Sequence, residues 1–159
     1  MSFTNDDTKI FYRDATELAR LIRTKEISPV EVIKAHLDRI ETVNPKVNAV
    51  VTLMRDNAVN TAKAAEKAVM NGDVLGPLHG VPFSIKDALD TAGVLTQRGS
   101  RLFAGNIPAQ DATAVARFKA AGGIPLLKSN LPEFPVRTSS GHSKVAKLSD
   151  FRHGFRSER

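Results

Sequence analysis

The 159 residues contain no cysteine, no tryptophan and a single tyrosine. Without cysteine there is neither a disulfide nor a thiolate metal site, and a reducing cytoplasm is the expected compartment. The histidines (His36, His79, His142 and His153) show no ligand spacing, so no metal is expected. Gly76, Gly80, Gly93 and Gly99 form no phosphate-loop pattern and read as turns, which leaves no cofactor indicated. No apolar run approaches the roughly 20 residues that span a bilayer as a helix. Met1 to Ile10 is polar and acidic, unlike the basic and apolar start of a signal peptide. These absences describe a soluble, intracellular, cofactor-free chain.

What is present has an ordinary globular balance, 42% hydrophobic and 25% charged, on a length that suits one domain, complete or not. The net charge of +6 raises the question of nucleic acid, and its location answers it. Residues 135–159 hold six Lys and Arg against Asp150 and Glu158, a net +4. Residues 1–134 then hold 17 basic and 15 acidic side chains, net +2. The body is nearly neutral and has no aromatic-basic platform on which bases could stack, so nucleic-acid binding by it is not expected.

Helical signals dominate the first half. Asp14-Ala15-Thr16-Glu17 reads as a capping box ahead of Leu18, Leu21 and Ile22. Ser28-Pro29-Val30-Glu31 is a stronger start, and Ile33, Leu37 and Ile40 follow at helical spacing until Asn44-Pro45, where the helix is expected to stop. Val47 to Leu53 has the β-branched richness of a short buried strand. The alanine-rich stretch from Asp56 to Met70 reads as a helix stopped by Asn71-Gly72.

Strands alternate with helices in the second half. Val81 to Asp87 reads as a strand ending in charge, with Pro82 near its start where a missing donor is tolerable. Gly93 to Arg98 suggests another extended piece. Asp111 is placed as the cap of a helix reaching Ala121, with Val115 and Phe118 inward and Gly122-Gly123 ending it; Ile124 to Lys128 reads as a buried strand. This alternation argues for an α/β fold with helices on the sheet faces. After Phe134 the periodicity fails. The division expected is therefore a folded part, 1–134, and a basic, disordered tail, 135–159, which has the appearance of a frameshift or a truncated gene.

The stretch Gly76-Pro77-Leu78-His79-Gly80-Val81-Pro82-Phe83-Ser84-Ile85-Lys86-Asp87 closely resembles the lysine motif of the amidase-signature family. Thr91 to Thr96 with Gly99-Ser100 resembles that family's next loop. Asp111 to Gly122 and Leu127-Lys128-Ser129-Asn130-Leu131-Pro132-Glu133-Phe134 resemble the family's next helix, strand and Pro-Glu-Phe motif. The helix opened by Ser28 resembles part of the family's N-terminal helical pair. The match runs in unbroken order over roughly residues 14–134.

The resemblance implies the N-terminal portion of the amidase-signature fold, a helical pair followed by strand-helix units of a mixed sheet. It also implies a hydrolase of carboxamide C–N bonds built on a Ser-cisSer-Lys triad. In that chemistry a desolvated, neutral lysine acts as base through a bridging serine on a second, nucleophilic serine. Lys86 falls at the catalytic lysine. The family's Gly-Gly-Ser-Ser-Gly-Gly segment lies well downstream of Pro-Glu-Phe and is absent from these residues, so both serines are missing. Ser139-Ser140-Gly141-His142-Ser143 follows Phe134 too closely and lacks the flanking glycines, and Ser84 sits on the same strand as Lys86, a poor approach for nucleophile and base. Without the resemblance, Lys86 reads as solvated or paired with Asp87 or Asp90, and Asp87 as a residue that orients backbone.

The sequence supports three readings. The first is a truncated amidase-family protein, inactive alone and marginally stable, whose parental enzyme took a small amide. The tRNA-dependent amidotransferase branch is among its possible ancestors. The second is a non-catalytic module that docks a protein partner on an exposed sheet edge. The third is one half of a split amidase.

Overall fold

The computed structural model describes residues 10–132, and the tail expected over 135–159 lies outside the described residues, as does the end of the Pro-Glu-Phe motif. Helix α1 spans Ala15–Arg23, and the carboxylate of Asp14 accepts from the Glu17 amide at 2.8 Å. Glu17 does not return to the cap; it pairs with Arg13. Helix α2 spans Pro29–Val47 and opens with the full reciprocal box. The Ser28 hydroxyl accepts from the Val30 amide, and the Glu31 carboxylate accepts from the Ser28 amide at 2.8 Å.

The expected stop at Asn44-Pro45 is overturned, because α2 runs through Pro45 to Val47 and ends on Asn48, which takes the left-handed conformation at φ 51°. Proline's fixed φ is itself helical, and the penalty of its missing amide is limited so near the C-terminus. The chain turns there because the Asn44 side chain bonds both the amide and the carbonyl of Val50.

Strand β1 is Val50–Leu53, shorter than the sequence suggested, and helix α3 spans Arg55–Asn71, terminated by Gly72 at φ 77°. Ala58, Ala62 and Ala65 are buried on one side of α3, and their small side chains let the helix approach α2 and the sheet closely. Ile33, Leu37, Ile124, Leu126 and Leu127 complete that core. Each large apolar side chain buried there contributes about 1.5–3 kcal/mol relative to exposure. A second cluster joins α1 to the start of α2, through Leu18, Ile22, Val32, Val69 and Val81.

Strand β2 (Pro82–Lys86), helix α4 (Thr113–Ala120) and strand β3 (Ile124–Ser129) form a βαβ unit. The strand order is β1-β3-β2, with β3 parallel to β2 and antiparallel to β1, so the sheet is mixed as the resemblance implied. Two expectations about α4 are corrected. Asp111 is not its cap; Ala112 holds that position, and the Asp111 carboxylate accepts from the Ala92 amide and the Lys119 ammonium. Phe118 is 46% exposed, and its ring stacks on Phe83 at 5.2 Å, while Val115 alone is buried.

The loop Gly76–Gly80 is held on the turn after α4. Leu78 and Gly80 donate to Ala121 and Gly122 carbonyls, and a Cβ on Gly122 (φ 90°) would stand 2.8 Å from the His79 backbone. His79 is a loop residue as expected, with Nε2 2.9 Å from the Ala65 carbonyl oxygen. No helix among the described residues is long and apolar enough to cross a membrane.

Candidate active site at the end of strand β2

Alternation along β2 sends Ser84 and Lys86 to one face and Phe83, Ile85 and Asp87 to the other. The first pair is exposed, whereas Ile85 and Asp87 are each 2% exposed. Lys86 is the last residue of its strand, opposite Ser129, the last residue of β3. The two parallel strands thus end together, and in open α/β sheets ligands bind outside the carboxyl ends of parallel strands. Asp90, which the sequence offered as a partner for Lys86, is held instead by Arg98 at 3.0 Å. Asp87, the other candidate, faces away from Lys86.

The lysine taken out of water is Lys128, at 0% exposure. Its ammonium donates to the Leu89 carbonyl, to Thr91 Oγ1 at 3.1 Å and to Thr96 Oγ1 at 3.0 Å, which uses all three of its protons. It lies 3.9 Å from Asp87 Oδ1, a buried oxygen with no hydrogen-bond partner in the structure. Burial pushes the Lys128 pKa down, against the raising effect of the Asp87 charge. Burial likewise pushes the Asp87 carboxyl up, against the amides of Gln97 and Arg98 and the Lys128 charge.

Asp87 ties the strand end to the loop beyond it. Its amide donates to the Ser129 carbonyl at 3.1 Å, its carbonyl accepts from Arg98 at 3.2 Å, and Oδ2 accepts from the Gln97 amide at 3.1 Å. The expected extended piece from Gly93 to Arg98 is not a strand. Its amides go to Asp87, Thr91, Asn106 and Pro108, and Arg98 sits at φ 54°. Sequence reasoning anticipated Asp87 as a backbone-orienting residue but missed Lys128. Its one local signal is a charge closing the apolar run Ile124–Leu127, which looks the same for a lysine leaving a strand for water. The serines Ser139, Ser140 and Ser143 lie outside the described residues.

Comparison with known proteins agrees with this architecture. The family model described as Amidase matches residues 31–147. The A subunit of the Carboxydothermus hydrogenoformans glutamyl-tRNA(Gln) amidotransferase is 41% identical over 136 residues, covering 86% of this chain and 28% of the relative. Its namesake from Salinispora arenicola is 43% identical over 129 residues, covering 81% and 26%. Among solved structures, a fatty acid amide hydrolase superposes with a TM-score of 0.85 at 26% identity, over 92% of this chain and 26% of that one. A bacterial aryl acylamidase of the amidase-signature enzymes gives 0.76 at 29%, over 81% and 27%. The chain spans a little over a quarter of the length of these relatives. With more than half of its residues matched by the family model and the same fold in solved relatives, the chain belongs to the amidase family.

Proposed function

We propose that this chain supplies the lysine of a Ser-cisSer-Lys amide hydrolase, with Lys86 as the general base, and that these 159 residues alone turn over no amide. The observation that carries the reading is the position of Lys86: the last residue of β2, exposed, beside the end of β3. A base must have its proton acceptor open to the group it deprotonates. In the proposed step, neutral Lys86 takes a proton from a bridging serine as that serine takes one from the nucleophilic serine. The nucleophile's oxygen attacks the carboxamide carbon, the C–N bond breaks, the amine leaves with a proton, and water releases the acyl group. The two serines belong to a segment these residues lack. That segment, covering Lys86, would also supply the desolvation that a neutral lysine requires.

The substrate class is a carboxamide, which is consistent with relatives named as an amidotransferase subunit, an amide hydrolase and an acylamidase. The partner is the polypeptide segment carrying the serines, on the same chain or another, and its strands would cover the edge that β2 forms in the described sheet, whose order is β1-β3-β2. We place the protein in the cytoplasm, where a cysteine-free member of this family needs no oxidising compartment.

The test is co-expression of this chain with the serine-bearing remainder of an amidotransferase A subunit, assayed on glutamine and on aryl amides. Turnover is expected from the pair and none from the chain alone, and Lys86→Ala is expected to abolish it. Amide hydrolysis by the pair that survives Lys86→Ala would overturn the assignment.

A further inference from the structure

Lys128 and Asp87 do no chemistry in the proposed reaction, yet they are the described charged residues buried most completely, at 0% and 2% exposure. Burying an ion pair is a poor way to gain stability, because desolvation of both charges offsets their attraction, and apolar residues of the same volume do as well or better. What distinguishes this pair is where its bonds go. All three Lys128 donors land on residues 89–96, the segment that leaves β2 directly after Lys86. The Asp87 carboxylate accepts from the Gln97 amide, and its backbone bonds the Arg98 amide and the Ser129 carbonyl at the end of β3. The loop is therefore gathered around the ammonium and closed by the carboxylate. It has no ladder of its own to give it shape.

We propose that Asp87 and Lys128 are positioning residues that lock the backbone of Lys86, so that its side chain leaves the sheet in a single direction toward the site where the serines act. Lys86 is bounded on one side by the β2–β3 ladder, and on the other by a turn in which its carbonyl accepts from the Leu89 amide at 2.9 Å and by the bonds of Asp87. If those bonds loosen, the last residue of the strand frays. Reacting groups misplaced by about 1 Å lose on the order of a hundredfold in rate, so fixing a long side chain at its root matters for a base. This inference rests on Lys86 being that base.

The experiment is ¹⁵N relaxation on the 159-residue chain, under conditions where each variant is folded, comparing wild type with Asp87→Ala and with the double variant Asp87→Ala/Lys128→Met. The double variant removes both charges, so it leaves no uncompensated one behind. Positioning predicts that amide order parameters at Lys86, Asp87, Gln97 and Arg98 fall from about 0.85 to below about 0.6. Those of Ile124 to Leu127 should stay unchanged. Loss of stability with unchanged order at Lys86 and Asp87 would overturn the proposal. So would a double variant that cannot fold, since the pair would then serve the fold as a whole. In the co-expressed pair the double variant is expected to lower kcat at least tenfold with KM unchanged, and an unchanged kcat would count equally against it. Lys86→Ala separates the two ideas: turnover surviving it sinks the base assignment while leaving the relaxation result standing.

Discussion

At the scale of single residues, burial decides which ionisable groups matter. His36 is half-buried on α2 with Nδ1 2.8 Å from the Val32 carbonyl oxygen, and burial holds its pKa below the ordinary imidazole range despite that bond. The folded state therefore binds fewer protons than the unfolded chain between the depressed pKa and about 6.5. Its stabilising share is present above about 6.5 and is lost as the pH falls through the folded value. The urea midpoint of the wild-type chain is expected to drop more between pH 7.5 and 5.5 than that of His36→Gln. Asp87, with its carboxyl pushed up, contributes with the opposite sign, and the comparison between the two proteins cancels it. Equal drops in both proteins would show that His36 is not the sensor.

Lys128 marks the limit of what local sequence discloses at this scale. The chemistry inferred from the family calls for a desolvated lysine, and the eye goes to Lys86. Among the described residues it is Lys128 that is withdrawn from water, by Thr91 and Thr96 more than thirty positions earlier. No window around Lys128 contains its partners, so propensity and periodicity could not have found them. Lys86 itself was legible as the end of a strand because alternation and Pro82 fix the register locally. The cover proposed for its exposed face is not a property of that strand.

At the scale of elements, the capping box at Ser28 was legible because it acts within four residues. Ser28 was read as a cap with its box, and it also donates to Glu66 on α3, a contact no local pattern contains. Ser28→Ala therefore removes a cap and a tie between α2 and α3. An isolated cap costs about 1 kcal/mol, and a loss of about 1–2 kcal/mol is expected here, with a matching fall in the urea midpoint. A loss no larger than a few tenths would mean that water replaces the hydroxyl at both sites. Where the reading of elements failed, tertiary bonds had won. Asn44 turned the chain through Val50, so Pro45 stayed helical, and Asp111 left the α4 terminus for Lys119 and the Ala92 amide.

At the scale of the molecule, the fold class followed from strand-helix alternation, but the extent of the sheet did not. The described sheet has β3 at its centre and ends on one side at β2, the strand that carries Lys86. Pro82 and Lys86 at its two ends blunt the edge against casual pairing, since proline withholds a donor and lysine resists burial. The middle of the strand has no such protection, and Ser84 is open to whatever lies above it. A segment that pairs with β2 and covers Ser84 and Lys86 would bind the folded state and not the unfolded one. Ligation of that kind stabilises by about 2.7 kcal/mol at a hundred times Kd. Melting the chain with and without the serine-bearing remainder of an amidotransferase A subunit should therefore raise Tm by several degrees, on the order of 4 °C or more for a domain of this size. Lys86→Ala should leave that shift intact, because the lysine is proposed to take a proton from the bridging serine and not to hold the sheet together. An unchanged Tm at saturating concentrations, with both pieces folded, would mean that the edge of β2 is not where the rest of the site assembles.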